Sequence, residues 1–394
     1  MKIFIKIVIF IFALNLYGVE NVGTHSAVFL KIPVSARSVG LGESSTAIYN
    51  NAFSIYENPS LLAFLYNMEI AFSHIEWIAD TSYEFLSFAK PLNKPVLNYI
   101  PTIAFAISYL HLPFFKSYNS WGEIIGDASF SDFAFSLAYS QKVREFKTGS
   151  LYAGINLKII AENLNENYDT ALTITPSFLY SFKVPPITIF RKRVHEQPIN
   201  IGLVIENYSL GTEIAGSSTT PIYKIGIGLT PFKNFTYSLD FHIPLDNRLR
   251  INSGIEYTYK NLIFLRFGYK FFGYEVDTFG IGAGTFLELG NKILKFDISY
   301  APISILGNNL IFSFILKYSG EIPEEKKKII YIFYYKGIYY YLRKEYDEAI
   351  KMWKKCLETD PNFKPAIEKI SDAEYLKKLQ QVEEKIPEKY KPKE

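Results

Sequence analysis

Five histidines, His25, His74, His111, His195 and His242, and one cysteine, Cys356, are the imidazole and thiol side chains with which this 394-residue chain could ligate a metal. None of the histidines has a partner four residues on, and no HExxH run, GxSxG elbow or phosphate-binding P-loop occurs. A lone cysteine can neither close an intrachain disulfide nor help form a zinc quartet. The expectation is therefore no metal, no cofactor and no enzymatic activity. What remains is charge. Lys158, Asp240, His242, Arg250, Glu256, Arg266, Lys270, Lys295 and Asp297 fall at alternate positions of otherwise apolar segments. Opposite signs on one face of a sheet can pair with each other, hold a plug or line a passage for a solute. Glycines 226, 228, 280, 282 and 284 share those faces and make room for another backbone or a bend.

The elements that would position these charges follow a period of two. Leu151, Ala153, Ile155, Leu157 and Ile159 alternate with Tyr152, Gly154, Asn156 and Lys158; Phe235, Tyr237, Leu239 and Phe241 alternate with Thr236, Ser238, Asp240 and His242. Near the end of the series Leu310, Phe312, Phe314, Leu316 and Tyr318 do the same. The pattern predicts about fourteen strands, near 68–77, 81–90, 100–111, 128–141, 150–162, 168–182, 198–208, 220–230, 234–242, 250–259, 261–271, 276–288, 292–301 and 309–318. Aromatic residues make up 17% of the chain, with 30 Tyr and 33 Phe, as suits a barrel whose alternate residues face lipid and whose tyrosines gather at its interfaces. No apolar run after residue 18 is long enough for a membrane helix. A soluble sandwich also alternates, but it would carry fewer long strands and more Lys and Glu on its wet faces. The net charge of +3 is spread among interleaved signs and implies no nucleic-acid partner.

At the N-terminus Lys2 and Lys6 precede an apolar core from Ile7 to Leu16, the pattern of a secretory signal peptide over 1–18 with cleavage after Gly18. If the N-terminal end is periplasmic, the short connections at 231–233, 259–261 and 289–291 are periplasmic turns. The longer ones at 112–127, 209–219, 243–249 and 302–308 are then extracellular loops. The basic stretch 183–197 is the exception, long yet periplasmic, either a docking loop or a tolerated insertion.

Between the leader and the first strand, residues 29–63 are rich in small residues: Ser35-Ala36, Ser38, Gly40, Gly42, Ser44-Ser45 and Ala47. They read as a compact, poorly helical plug able to approach other backbones closely, with Asn58-Pro59-Ser60 as a turn. Phe29-Leu30-Lys31-Ile32, Ala36-Arg37, Gly40-Leu41-Gly42 and Asn58-Pro59 resemble the N-terminal signature of the PorV/PorQ outer-membrane proteins. Ser60 and Leu61 stand where that signature has alanine and glycine. The wider resemblance is to FadL-like barrels. It implies a fourteen-stranded barrel in the bacterial outer membrane with an N-terminal hatch inside it, here over 19–66. It implies one of two roles: service in type IX secretion as a barrel component or cargo shuttle, or passage of a hydrophobic ligand through a hatch-gated barrel. The hatch text favours the first.

After Tyr318 the period changes to 3.6. Pro323 and the charge run EEKKK mark a linker over 320–329, and 330–381 reads as a helical module, with a disordered tail over 382–394. Within it, Gly337, Tyr340, Ala349, Trp353, Cys356 and Pro361 fall where a tetratricopeptide repeat places its helix-contact and turn residues. A single repeat must lean on something further, which a final helix from Pro365, the barrel rim or a protein partner would supply. The sequence thus predicts an all-β transmembrane barrel over 67–319 with its hatch, plus a small α-helical module. Hatch and module are expected on the periplasmic side, with membrane lipid and a protein as partners.

Overall fold

The computed structural model describes residues 23–48, 51–92, 94–97, 99–146, 148–164, 167–183, 188–189, 192–193, 198–232, 234–260, 262–271, 279–303, 308–318, 324–359 and 363–385. The signal segment 1–18 and Pro361 lie outside them. The chain divides into two compact units between Ser319 and Gly320.

The first unit is a closed antiparallel barrel of fourteen long strands: β1 Met68–Glu76, β2 Ser82–Pro91, β3 Thr102–Tyr118, β4 Ile124–Phe146, β5 Gly149–Leu164, β6 Asn167–Lys183, β7 Pro198–Glu206, β8 Ile222–Phe232, β9 Phe235–Pro244, β10 Arg250–Tyr259, β11 Ile263–Phe271, β12 Phe279–Leu289, β13 Lys292–Pro302 and β14 Asn308–Tyr318. Each pairs with its sequence neighbour, and Met68 opposite Tyr318 closes β1 onto β14. A two-residue strand at Tyr208–Ser209 adds to β6. The rim at which β1 begins and β14 ends is called near, the opposite rim far.

Alternation decides what faces where. On β3 and β4 the outward Phe105, Ile107, Tyr109, Phe133, Phe135 and Leu137 are exposed, while the inward Ala104, Ala106, Ser108, Ala134, Ser136 and Ala138 are buried. Large apolar groups facing out and small or polar ones facing in is the inverse of a soluble domain, and it is the pattern a lipid-facing wall requires. No described helix is long and apolar enough to cross a membrane; the apolar outer face of the barrel is the surface suited to lipid. One expectation fails. Residues 112–127 are not a loop, because β3 and β4 run on as a free hairpin to a tight turn at 119–123. There the Asn119 side-chain oxygen accepts from the backbone N–H groups of Trp121 and Glu123, at 2.9 and 3.0 Å, which lets the strands continue to the turn.

The hatch packs inside as short helical turns: 3₁₀ turns at Val28–Lys31, Asn51–Phe53 and Pro59–Phe64, and helices α1 Ala36–Gly40 and α2 Ser54–Glu57. Its apolar side chains, Phe29, Leu30, Phe53 and Ile55 among them, share a core with Tyr83, Phe85 and the small inward residues of β1 to β6. The Phe53 and Phe85 rings stack at 5.6 Å.

The second unit is three helices, α3 Glu324–Leu342, α4 Tyr346–Thr359 and α5 Lys364–Lys385. Helix α3 starts inside the stretch read as a linker, since its EEKKK run consists of good helix formers, and α5 extends to Lys385, past the expected start of the tail. Trp353 is fully buried and donates from Nε1 to the Tyr334 carbonyl at 3.1 Å. A Cβ on Gly337 would run into its indole ring, which is why that position lacks one. Ala349 and Cys356 are buried in the same core, with Tyr340 packed at its edge and Ala366 and Ala373 of α5 completing it. Burial pushes the Cys356 thiol up to about 11, so the group packs as an apolar filler.

Leu157 is 41% exposed on the outer face of β5. Leu157→Arg should lower barrel stability by about 2–4 kcal/mol in equilibrium unfolding from lipid, whereas arginine in an exposed rim position should cost about 0–1. Equal tolerance would mean the outer face is not in lipid.

Candidate functional site

The hatch is fastened to the barrel wall by two different means. On the β1 to β6 side it shares the apolar core, and on the β8 to β13 side it is held by charge. Helix α1, capped by Ser35, whose hydroxyl accepts from the Ser38 N–H, presents Arg37 to β10. The guanidinium forks onto Glu256 with two bonds of 2.8 Å. Glu256 also accepts from Arg266 Nε at 2.6 Å, Arg266 Nη1 donates to Asp297 at 2.6 Å, and Lys295 stands 3.6 Å from Asp297. Five of the predicted residues, Arg37, Glu256, Arg266, Lys295 and Asp297, thus form one chain of alternating sign toward the near rim. An arginine that forks onto one carboxylate, as Arg37 does, fixes position as well as charge.

A second group lies toward the far rim. Lys270 donates to Glu43 of the hatch at 2.6 Å, Arg250 stands 3.6 Å from Glu43 and 3.1 Å from His242 Nδ1, and His242 is 3.6 Å from Asp240. Burial opposes ionisation of Glu43, but Lys270 and Arg250 outweigh it and hold its carboxyl below the usual range. Asp240 also accepts from the Thr46 N–H at 2.8 Å. Lys158, on β5, joins neither group. It is 2% exposed, donates to Asn207 at 2.7 Å, and sits 5.2 Å over the Tyr56 ring.

The remaining hatch residues work through their backbones. The Ala36 N–H donates to Ser313 at 2.9 Å. Gly40 packs against Gly282, and Gly42, at φ +62°, lies against Gly268, where a Cβ would overlap the Gly42 backbone. Gly228 and Gly280 likewise clear the hatch backbone, whereas Gly226 makes room for the Asp240 and Thr46 side chains and Gly284 for that of Asp297. Asn58 is fully buried; its amide donates to the Thr46 carbonyl at 2.6 Å and its oxygen accepts from Ser60. Pro59 starts the last 3₁₀ turn, and Ser60 lies against Gly154. Sequence reading put Gly154 on the inward face without giving it a role and missed Gly202, Gly254 and Gly268, although each occupies the inward phase of its strand. It also missed Glu43 and Glu69, whose partners come from distant strands.

The hatch is not gathered at the near rim. Its first turns lie at the far one, where Ser26 bridges to Thr219 and Lys31 pairs with Asp246. The chain then returns through the lumen to Phe64, which packs on Tyr152 with centroids 4.4 Å apart. The reason is fastening: the polar anchors for residues 26–31 are carried by the far connections. Two cavities flank it. The far one, about 900 Å³, is lined by the first hatch turns with Trp77, Leu110, Phe130, Ile214 and Ile303; the near one, about 320 Å³, by Arg37, Glu69, Glu256, Lys295 and Lys317. Among the described residues no group of histidine, cysteine or carboxylate side chains is placed to hold a metal.

Residues 330–363 match the tetratricopeptide repeat family. A UPF0164 protein of Treponema pallidum (strain Nichols) is 22% identical over 357 residues, covering 88% of this chain and 82% of that one. Among solved structures, a TodX deletion mutant, a monoaromatic hydrocarbon channel whose parent is the toluene transporter of Pseudomonas putida, aligns with 72% of this chain and 98% of its own. Its TM-score is 0.48 at 10% identity. A FadL homologue of Pseudomonas aeruginosa covers 73% of this chain and 99% of its own, at TM-score 0.41 and 10% identity. The strand register described above carries the architecture independently of these partial likenesses.

Glu256→Gln should leave Arg37 and Arg266 facing each other without a carboxylate, lower stability by about 3–5 kcal/mol, and expose residues 29–63 to protease in the folded barrel. Arg37→Met with Glu256→Met should recover much of the loss in thermal unfolding. An unchanged protease pattern in Glu256→Gln would mean the pair does not seat the hatch.

Proposed function

We propose that this protein is a non-enzymatic outer-membrane barrel that passes a hydrophobic or amphipathic small molecule, with the hatch as its gate. The far cavity carries this reading: it is large, mainly apolar, placed inside the barrel, and floored by the hatch rather than by the wall. Drug-sized ligands are held in sites of this size, apolar with a few placed polar groups. The gate is held on one side by ion pairs, which water can replace, and on the other by an apolar core, which it cannot. In this reading the near rim and the helical module are periplasmic. The names of the aligned channels, monoaromatic hydrocarbon and toluene transporters, are consistent with an apolar cargo.

Ser44 of the hatch and Ser238 of β9 have their hydroxyls 2.6 Å apart. A Ser44→Cys, Ser238→Cys barrel, made in a Cys356→Ala background, should pass a hydrophobic dye into vesicles when reduced and stop when oxidised. Equal passage in both states would sink the gating role.

A second reading, service in type IX secretion as PorV/PorQ-type proteins provide it, is favoured by the tetratricopeptide match, a repeat type that docks other proteins. Truncation after Gly320 separates the two. Under the transport reading the shortened barrel remains heat-modifiable in the outer membrane and still passes the dye. Under the secretion reading dye passage is beside the point and delivery of a surface protein fails.

A further inference from the structure

The wall of the far cavity carries a row of acidic side chains with no cationic partner among the described residues. Asp132 on β4 is directly opposite Glu162 on β5, and Glu162 is directly opposite Asp169 on β6, so three carboxylates cross three strands at one level. Directly opposed side chains have Cβ atoms about 4.5–5.5 Å apart, and like charges so placed destabilise a sheet. All three line the cavity. Backbone N–H groups serve two of them. The Ala27 N–H of the hatch faces Glu162, and Asp169 accepts from Ala215 at 2.6 Å and Thr170 at 2.8 Å. Asp132 differs: it is 3% exposed, and its buried Oδ1 has no hydrogen-bond partner. No ion pair joins any of the three to a cationic side chain among the described residues. The two cations that line the same cavity are engaged elsewhere, Lys31 with Asp246 and Arg250 with Glu43 and His242. His25, also on the lining, is bonded to Thr24 at 3.0 Å.

A buried acceptor left open beside a second carboxylate calls for a donor that carries positive charge. Apart from Ser26, Glu43 and Asn163 the rest of the lining is apolar or aromatic, and Trp77 and Tyr168 are rings of a kind suited to an ammonium or to an aromatic body. A carboxylate-headed amphiphile would meet the row with the wrong sign. We infer that the far cavity receives an organic ammonium, a molecule with an apolar or aromatic body whose N–H donors sit against Asp132 and Glu162. This rests on the transport reading and names its cargo class.

The test uses the full chain in lipid nanodiscs and three probes with one ring system and different heads: naphthylmethylamine, naphthylmethanol and naphthylacetate. Their binding is measured by titration calorimetry near neutral pH against empty nanodiscs. The ammonium should bind about tenfold tighter than the alcohol, with the acetate weakest, as one charge-assisted hydrogen bond provides. Asp132→Asn with Glu162→Gln removes like-charge repulsion and should leave the barrel heat-modifiable. It should abolish the ammonium preference while leaving alcohol affinity unchanged. Alcohol binding with no ammonium preference, or a preference that survives the double substitution, overturns the inference and leaves the transport reading standing. Binding of none of the three overturns both.

Discussion

In hydrocarbon there is no water to satisfy a backbone N–H or C=O, and the whole architecture follows from that. A sheet can lie there only if it has no edge. The closure of β1 onto β14, in register from Met68–Tyr318 to Glu76–Leu310, removes the edge. Once closed, the sheet has no apolar core of its own, because its large apolar side chains have been spent on the lipid face. Fourteen strands also enclose a lumen wider than inward side chains can fill. In this barrel many of those side chains are alanine, serine and glycine, so the filling has to come from another stretch of chain.

The hatch supplies it asymmetrically. Toward β1 to β6 it behaves as half of a soluble core, with stacked rings over alanines. Toward β8 to β13 it lays backbone on glycine and charge on charge. Buried ion pairs add little net stability over apolar packing, since desolvation offsets most of the attraction. What they add is position and a weakness to water. A segment held this way is inclined to move on its charged side and stay anchored on its apolar one.

Much of this was legible in the sequence. The period of two set nearly every strand to within a few residues, because a membrane wall tolerates no ambiguity about which face is apolar. The small-residue run Ser35–Ala47 and the Asn58-Pro59 turn announced a plug because small residues let one backbone lie close against another. The inward charges were also visible as residues out of phase with the apolar face. Their partners were not. Arg37 meets Glu256 and Glu43 meets Lys270 across more than two hundred positions of chain, and no local pattern encodes which strand lies opposite a plug residue. The hairpin at 112–127 was misread because polar residues at a turn and on a free-standing ribbon look alike until pairing is known.

The same distance in sequence makes the far cavity and the hatch one thermodynamic object. The Ala27 N–H faces Glu162, the middle member of the acidic row, while Phe29 and Leu30 beside it belong to the apolar core. Lys31, one turn on, is tied to Asp246 of the far connections. A molecule seated against Glu162 shares that carboxylate, which has two oxygens, with the first hatch turn. Under the transport reading the effect is reciprocal: any loosening that binding imposes on the first turn is matched by a weakening that the seated turn imposes on binding. The Arg37–Glu256 pair, deeper toward the near rim, lies apart from the acidic row. Coupling of this kind is confined to the far part of the hatch, because residues 26–29 border the cavity while Arg37 is fastened through Glu256.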